Sequence, residues 1–583
     1  MQRRHVVILM VILGVEVAIR AVVIQHAGPM SDQGFYGDDS YMSHQFAADI
    51  AAGRGITQAG APTNGFQPLF VFLLVPFYWF LDIYQATVAS AVLNSALSVV
   101  GSLLLFLVTR ELFGVVPGLI AAGLWVVSAH LTRVGLNGLE TALANAMMLL
   151  AIWLHVRSTK TDARLGLAGG AGLGAVMGLT LLARLDLGLL LVPLALDQAR
   201  IRIERRQYAG LATTIAAAAL LVAPWFAWSR LACGSFVPVS GAATRTVAQL
   251  YGSPGGPTRH PEYFPLGKVP AVYYSSNLAH AGRQIVCEAP LSTPVRAVFG
   301  NHAGVACAWL AVVITVAVLA DRRARMLTPS PAATRGGRDS EGTHPEAAPL
   351  TNIESAPATP GDCAGERPNS LRTQLATMLR SLWFLWVFVV AIVAAYCVYY
   401  FAQWHYWRYL TPVTIALMIP SARLVHKVGR WLSGQVPGGR VAAGLCIAGA
   451  VTAGAVEHAA LFGSVDPTGI ARNLYRDAKA LDDMLPADAR IGSFESGTLD
   501  YFLEREVVNL DGKTNARALQ ALVEGRMDRL VIDMSLDYVV SSPLLIRDLL
   551  DRRGQWPPGR LEIVGRLAHN LIVRVNPLTD HRP

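Results

Sequence analysis

The chain has 583 residues, of which 53% are hydrophobic and 15% are charged, with a net charge of +9 and a mean hydropathy of +0.40. Soluble globular proteins of this length are seldom so apolar. The basic residues fall in short clusters between apolar stretches, not in one patch. This pattern argues against a nucleic-acid partner and indicates the cytoplasmic loops of a protein that crosses a lipid bilayer many times.

Apolar stretches of about 18–23 residues, the length that crosses a bilayer, recur along the chain. The sequence predicts about 11 spans, at residues 5–25, 87–109, 113–130, 139–156, 165–183, 185–199, 208–229, 299–320, 382–402, 409–426 and 441–460. Residues 66–81 are also apolar, but this stretch is short and contains two prolines. Basic clusters between spans usually lie on the cytoplasmic side. If the N-terminus is inside, the clusters of this chain are cytoplasmic only if residues 66–81 do not cross the bilayer, and instead lie at the membrane surface or form a re-entrant helix. This odd count of spans predicts an external C-terminal tail.

This topology divides the chain into parts of different character. They are a transmembrane core (1–320) with an external catalytic loop (26–86) and an external loop (230–298), a disordered cytoplasmic linker (321–375), the last transmembrane helices (376–460) and an external α/β domain (461–583). The linker is rich in Pro, Ala, Thr, Ser and Gly. The tail has four strand-like segments, ARIGSF, REVVNL, DYVVSS and HNLIVRV, between helix-like ones. Cys233 and Cys287 share one predicted external loop, as separate thiols or as a disulfide.

Polar residues collect at the external ends of the predicted spans. Asp38 and Asp39 are adjacent carboxylates just beyond the first span. Charges near a bilayer cost free energy, and two neighbouring acids can hold different pKa values, which suits one of them to be a general base. The other external span ends carry Arg133, Asn137, Glu140, Arg184, Asp186, His405 and Arg408. Together these residues predict a site that binds an anionic lipid headgroup and performs acid–base chemistry.

Each of these residues also has a structural interpretation. The two aspartates could cap a helix, and Glu140 could interact with the dipole at a helix N-terminus. Arg184 and Asp186 could form an ion pair in a tight turn. Arg408 lies among Trp and Tyr residues that are typical of the membrane interface.

The order of the segments resembles the GT-C superfamily of integral-membrane glycosyltransferases, which use polyprenyl-phosphate sugars. GDDSYMSHQFAADIAAGRGIT is similar to the first external loop of the family, in which an acidic pair precedes an interfacial helix. PTNGFQPLFVFLLVPFY looks like its second interfacial helix. The segments NGLETALANAMMLLAIW, ARLDLGLLLVPLAL, CGSFVPVSGAATR and WRYLTPV follow in the order of the family. IGSFESGTLDYFLEREVVNLDG looks like the external domain of a bacterial branch.

The resemblance implies a mainly α, polytopic GT-C fold in the cell (plasma or inner) membrane, with its active site outside. It implies that a sugar moves, with inversion, from a polyprenyl-phosphate donor to a hydroxyl of a glycan, lipid or protein. Asp38 or Asp39 would be the general base, and Asp39 is favoured because it directly precedes the interfacial helix. The implied residues for the donor phosphate and headgroup are Arg184, Arg408, His405 and Arg133. The implied residues for acceptor or sugar are Glu140, Asn137, Asn64, Gln67 and Asp186.

No cofactor or metal ion is expected to be required, although assistance by a divalent cation varies among relatives. The first alternative is a polytopic transporter or flippase of lipid-linked glycans, which would place polar groups near the bilayer midplane. A polymerase or ligase of another membrane fold and a non-catalytic assembly factor are further alternatives. Charges at the span ends and a folded-looking tail favour the transferase.

Overall fold

The computed structural model describes residues 2–26, 36–160, 166–251, 271–288, 382–400, 405–435, 439–463, 469–551 and 556–577. The chain is mainly helical and has several apolar helices, as its hydropathy predicts. The predicted span at 299–320 and the predicted linker at 321–375 lie outside the described residues.

The helices of the first 463 residues are, in chain order, α1 (Arg3–His26), α2 (Asp38–Ala51), α3 (Pro68–Phe80), α4 (Ile83–Phe113), α5 (Val115–Val126), α6 (Ala129–Gly135), α7 (Thr141–Lys160), α8 (Leu167–Ala183), α9 (Gly188–Glu204), α10 (Tyr208–Cys233), α11 (Val239–Tyr251), α12 (Ala271–Glu288), α13 (Trp383–Ala395), α14 (Tyr406–Tyr409), α15 (Thr411–Gln435) and α16 (Gly439–Gly463). Among the described residues, α1, α4 and α10 are long and apolar enough to cross a membrane. The bent pair α5 and α6, whose axes meet at 68°, adds a fourth crossing if it is one span. Helices α3, α8 and α13 are apolar but shorter, so the count of about 11 spans stays a prediction.

Glycines set the packing between α8 and α10. Gly170, Gly174 and Gly178 recur every four residues and therefore share one face of α8. A Cβ atom at Gly174 would lie 2.0 Å from the backbone oxygen of Thr214 in α10. Small residues at this spacing let two membrane helices approach until their backbones touch.

Helix α3 covers the stretch whose path was ambiguous in the sequence. Its 13 residues span about 20 Å at 1.5 Å per residue, which is less than the roughly 30 Å hydrocarbon core of a bilayer. Val71 and Leu74 are buried against the bundle, whereas Trp79 and Phe80 are exposed. This length fits an interfacial helix, and the side of the membrane on which it lies stays a prediction.

The C-terminal region is an α/β domain around a five-stranded sheet. Its helices are α17 (Ile470–Met484), α18 (Ser496–Phe502), α19 (Ala516–Glu524), α20 (Met527–Asp533) and α21 (Pro543–Leu545), and its strands are β3 (Ile491–Ser493), β4 (Val507–Asn509), β5 (Tyr538–Ser541), β6 (Leu561–Arg566) and β7 (Leu571–Val575). The order of the strands in the sheet is β4-β3-β5-β7-β6. Strands β3, β4 and β5 are parallel, and β7 runs antiparallel to β5 and β6. All four segments with strand-like sequences form strands. The sequence did not predict β6, because this edge strand is mostly exposed and lacks an alternating apolar face.

The α/β domain packs on the loop between α1 and α4. That loop contains α2, a short hairpin of β1 (Thr57–Gln58) and β2 (Ala61–Pro62), and α3. Gln58 Nε2 donates a hydrogen bond to the Val507 carbonyl at 3.0 Å. The hydroxyls of Tyr78 and Tyr501 lie 2.9 Å apart, and Tyr501 also donates to the Ile83 carbonyl at 2.8 Å. These buried contacts bring the domain against the loop that carries Asp38 and Asp39.

Candidate active site

Helix α2 begins at the two aspartates. Both carboxylates lie in its first turn, where the positive end of the helix dipole favours negative charge. Ser40 Oγ donates to the Asn137 carbonyl at 2.6 Å and ties this turn to the segment before α7. Adjacent residues on a helix point about 100° apart. Asp38 and Asp39 therefore face different surroundings.

Asp39 faces a cavity and holds two cations. Its Oδ2 accepts a hydrogen bond from Arg408 Nη2 at 2.7 Å, and its Oδ1 accepts one from Lys513 Nζ at 3.0 Å. Burial alone would raise the pKa of Asp39, but Lys513 and Arg408 outweigh burial and hold this pKa well below its usual range. Asp39 is therefore ionised at neutral pH.

Asp38 faces the α/β domain. Its Oδ1 accepts a hydrogen bond from the Thr498 backbone N–H in α18 at 2.7 Å. Burial raises the pKa of Asp38 to about 7, although the bond from Thr498 acts in the opposite direction. Asp38 thus bonds a helix of the docked domain, and it does not line the cavity that Asp39 faces.

This cavity, called the aspartate cavity below, has a volume of about 160 Å³. Its walls come from α2, the turn before α3, the residues just before α7 and just after α8, the start of α11 and the turn after β4, together with Tyr396, Arg408 and Tyr409. The ionisable side chains that line it, apart from tyrosines, are Asp39, Glu140, Asp186, Arg184, Arg408 and Lys513. Three acids and three bases thus balance in charge.

Tyrosines hold the two arginines of the cavity in place. Arg184 Nη2 donates to Asp186 Oδ2 at 2.9 Å and to the Tyr396 hydroxyl at 3.2 Å, and Tyr396 also donates to Asp186. The ring of Tyr396 stacks on that of Tyr409 with centroids 4.7 Å apart. The guanidinium carbons of Arg184 and Arg408 lie 5.6 Å and 5.1 Å from the Tyr409 centroid, within cation–π range.

Some hydrogen-bonding groups of the cavity have no partner among the described residues. They are Arg184 Nη1, Arg408 Nε and Asp186 Oδ1, and all three atoms are buried. A buried donor without a partner is unfavourable, so such groups mark places where a ligand or water completes the bonding. The two free guanidinium N–H groups suit an anion, because charge-assisted hydrogen bonds to phosphate are strong.

Of the other residues predicted for the site, Gln67 and Glu140 line the aspartate cavity. Glu140 interacts electrostatically with both arginines. Asn64 is fully buried and bonds three backbone groups, donating to the Ser235 and Val237 carbonyls and accepting from the Val239 N–H. Asn64 therefore holds the backbone around Val237, which lines the cavity, and does not line the cavity itself.

The remaining predicted residues lie outside the lining. Asn137 Oδ1 accepts a hydrogen bond from the Leu139 N–H at 3.1 Å and fixes the turn before α7. The guanidinium of Arg133 lies 5.2 Å from the Trp407 ring centroid. Burial and the nearby Arg408 lower the pKa of His405 well below its usual value, so this imidazole is neutral. The headgroup and acceptor roles of these residues stay predictions.

Sequence reasoning missed Lys513, Tyr396 and Tyr409. Lys513 directly follows the segment that resembles the external domain of the family, which ended at Gly512. A signal was present, because Lys513 lies just beyond the carboxyl end of a parallel strand, where binding groups collect in α/β sheets. Tyr396 lies in a π-helical turn at the end of an apolar helix, and nothing in the surrounding sequence sets it apart. Among the described residues, no three His, Cys, Asp or Glu side chains group as metal ligands.

Comparison with known proteins gives no match to a family model and none to a curated protein. Among solved structures, the oligosaccharyltransferase of Archaeoglobus fulgidus tethered to an acceptor peptide is 13% identical, with 93% of this chain and 70% of that chain covered and a TM-score of 0.51. ArnT from Cupriavidus metallidurans bound to undecaprenyl phosphate is 15% identical, with 96% and 97% covered and a TM-score of 0.49. Both are membrane glycosyltransferases of the GT-C superfamily. The resemblance seen in the sequence is confirmed at the level of architecture: the chain has the GT-C fold.

Proposed function

We propose that the chain is a membrane glycosyltransferase that moves a sugar from a polyprenyl-phosphate donor to an acceptor hydroxyl. One observation carries the proposal: a carboxylate, Asp39, and two arginines with unpartnered N–H groups line one cavity in a GT-C fold. Such a cavity combines a proton acceptor with an anion site, which are the two functions that this transfer needs.

The reaction is a single displacement. The acceptor oxygen forms a bond to the anomeric carbon of the sugar, and the bond between that carbon and the phosphate oxygen breaks. The proton of the acceptor hydroxyl goes to the Asp39 carboxylate, and the polyprenyl phosphate leaves with the electron pair. Attack from the face opposite the leaving group inverts the anomeric configuration.

The arginines stabilise the leaving phosphate. Arg408 Nε and Arg184 Nη1 are free to donate hydrogen bonds to phosphate oxygens as negative charge develops. Stacking on Tyr409 fixes both guanidinium groups before the reaction, so that little reorganisation is needed. The polyprenyl tail remains in the bilayer beside the apolar helices, which explains why the enzyme is a membrane protein.

Asp39 suits the role of base by position. It lines the cavity, whereas Asp38 bonds to Thr498 of the α/β domain. A carboxylate with a low pKa is a weak base, but it need only accept the proton as the anomeric bond breaks. We place the reaction on the external side of the cell membrane, with a glycan, lipid or protein as acceptor and no required cofactor.

A comparison of two isosteric variants tests the proposal. Asp39→Asn should lower single-turnover transfer from a radiolabelled lipid donor by roughly 10²–10⁴-fold, the usual contribution of a general base. Asp38→Asn is the matched control, and its rate should fall much less. Thermal unfolding of both variants shows whether they fold. An Asp39→Asn protein that transfers sugar at the wild-type rate would rule out this mechanism.

A further inference from the structure

The α/β domain contributes a charge to the aspartate cavity. Lys513 follows β4 and lies 474 residues from Asp39 in the sequence, yet its Nζ is 3.0 Å from Asp39 Oδ1. The same ammonium lies 3.2 Å from Asp511 Oδ2. The Lys513 side chain is 21% exposed and lines the cavity with Arg408.

The charge balance of the cavity limits how an anion can enter it. Three acids and three bases line it, so an added phosphate meets cations that already have acidic partners and must compete with a carboxylate for them. Arg184 is held by Asp186 and by Tyr396. Arg408 and Lys513, in contrast, share the Asp39 carboxylate, and Lys513 keeps Asp511 as a second acidic partner outside the cavity lining. Asp39 is therefore the counterion that an incoming phosphate can replace on two cations at once.

We propose that Lys513 and Arg408 together bind the phosphate of the lipid-linked donor, and that Asp39 occupies this cation pair as an internal counterion until the donor arrives. The inference rests on the proposed function and deepens it. When the phosphate takes over both cations, Asp39 loses the partners that suppress its basicity. Donor binding then switches on the general base, and the α/β domain is part of the active site.

A role of Lys513 only in docking the α/β domain does not explain why its ammonium group lies in the aspartate cavity beside Arg408. Other contacts already hold the domain on the loop, among them the bonds of Gln58 to Val507 and of Tyr78 to Tyr501. Two cations from distant parts of the chain converge on one carboxylate inside a cavity, and Arg408 Nε beside them has no partner among the described residues. An ion pair needed only for docking would not require this second cation or the unpartnered donor.

Binding of undecaprenyl phosphate to the full-length protein in detergent tests the proposal, with undecaprenol as the uncharged lipid control. Lys513→Gln should weaken binding of the phosphate roughly 10- to 100-fold, the value of a charge-assisted hydrogen bond. Lys513→Arg should retain most of the affinity, because the charge remains. Asp39→Asn should lower transfer by the same roughly 10²–10⁴-fold and yet bind undecaprenyl phosphate more tightly, on the order of tenfold, because the competing carboxylate is gone.

Lys479→Gln is the matched control for docking. Lys479 belongs to the same domain and donates to the Tyr84 hydroxyl at 2.6 Å, but it lies outside the cavity. Its loss should leave phosphate binding unchanged. Wild-type affinity in Lys513→Gln, or weaker binding in Asp39→Asn, would overturn the inference and leave the proposed function intact. A wild-type protein that binds undecaprenol as well as undecaprenyl phosphate would overturn the proposed function itself.

Discussion

Gly65 leaves room for the backbone at Lys513, and replacing it by alanine should push the lysine away from Asp39. An ideal Cβ at residue 65 would lie 2.0 Å from the Lys513 carbonyl oxygen, whereas ordinary contacts begin at 3.4 Å, so the two segments must separate by about 1.4 Å (3.4 − 2.0). The obstructing atoms are backbone, so no side-chain rotation relieves the clash. Overpacking of this kind destabilises a protein by about 1–3 kcal/mol, and a misplacement of about 1 Å in a site can lower the rate 10²-fold.

The assay combines single-turnover sugar transfer with thermal unfolding of the purified protein. Gly37→Ala is the matched control in the same loop, because an added Cβ there has no atom of the described residues within 4 Å and the backbone φ of −82° suits alanine. We expect Gly65→Ala to lose most of its transfer rate and some stability, and Gly37→Ala to behave as the wild type. If Gly65→Ala matches the wild type in both measurements, the α/β domain does not rest on this loop as described.

Four further predictions follow from particular contacts. Folding raises the pKa of Asp38 from an ordinary 3.8 to about 7, so the free energy of unfolding should fall as the pH rises between these two values. Thermal unfolding of Asp38→Asn should show a smaller fall over this pH range. A pH profile of stability that is unchanged in the variant would contradict the raised pKa of Asp38. Tyr409→Phe should bind the donor with wild-type affinity, whereas Tyr409→Leu should bind it roughly 5- to 30-fold more weakly, because Arg184 and Arg408 then have no aromatic ring at residue 409 to pack on. Equal donor affinities in the two variants would refute the role of this ring. Transfer should persist in EDTA because protein cations supply the positive charge, and loss that is restored by a divalent cation would reverse this expectation. Cysteines introduced in 461–583 and in 321–375 should react with impermeant reagents from opposite sides of the membrane, and labelling from one side would refute the topology.

The residues predicted from sequence are those with a local signal. Asp39 stands out because an acidic pair beside a membrane span is unusual, and the four strand-like segments show their alternation over a few residues. Helix geometry also indicates that Asp38 and Asp39 diverge. It does not say which of them faces the cavity, because Thr498 and Lys513, which decide this, lie more than 450 residues away.

The residues that sequence reasoning missed depend on tertiary contacts. In the sequence, Lys513 is one polar residue in a turn. It reaches Asp39 only because β3 and β4 pair in parallel and the domain packs on the loop that carries Asp39. Tyr396 follows an apolar run, and only the fold brings its hydroxyl to Arg184 and Asp186. The number of spans is hard to predict for a related reason: short apolar helices such as α3 and α8 fit a span or an interfacial helix equally well by composition.

A measurement of sugar loss from lipid donors distinguishes a transferase from a flippase. Purified protein in liposomes is incubated with a panel of polyprenyl-phosphate sugars and a mixture of acceptor glycans, lipids and peptides, and the lipid products are separated. We expect one donor to be converted to free polyprenyl phosphate while an acceptor gains the sugar, and we expect Asp39→Asn to slow both changes by roughly 10²–10⁴-fold. Donors that stay intact while a lipid-linked sugar crosses the bilayer would instead identify a flippase and rule out the transferase.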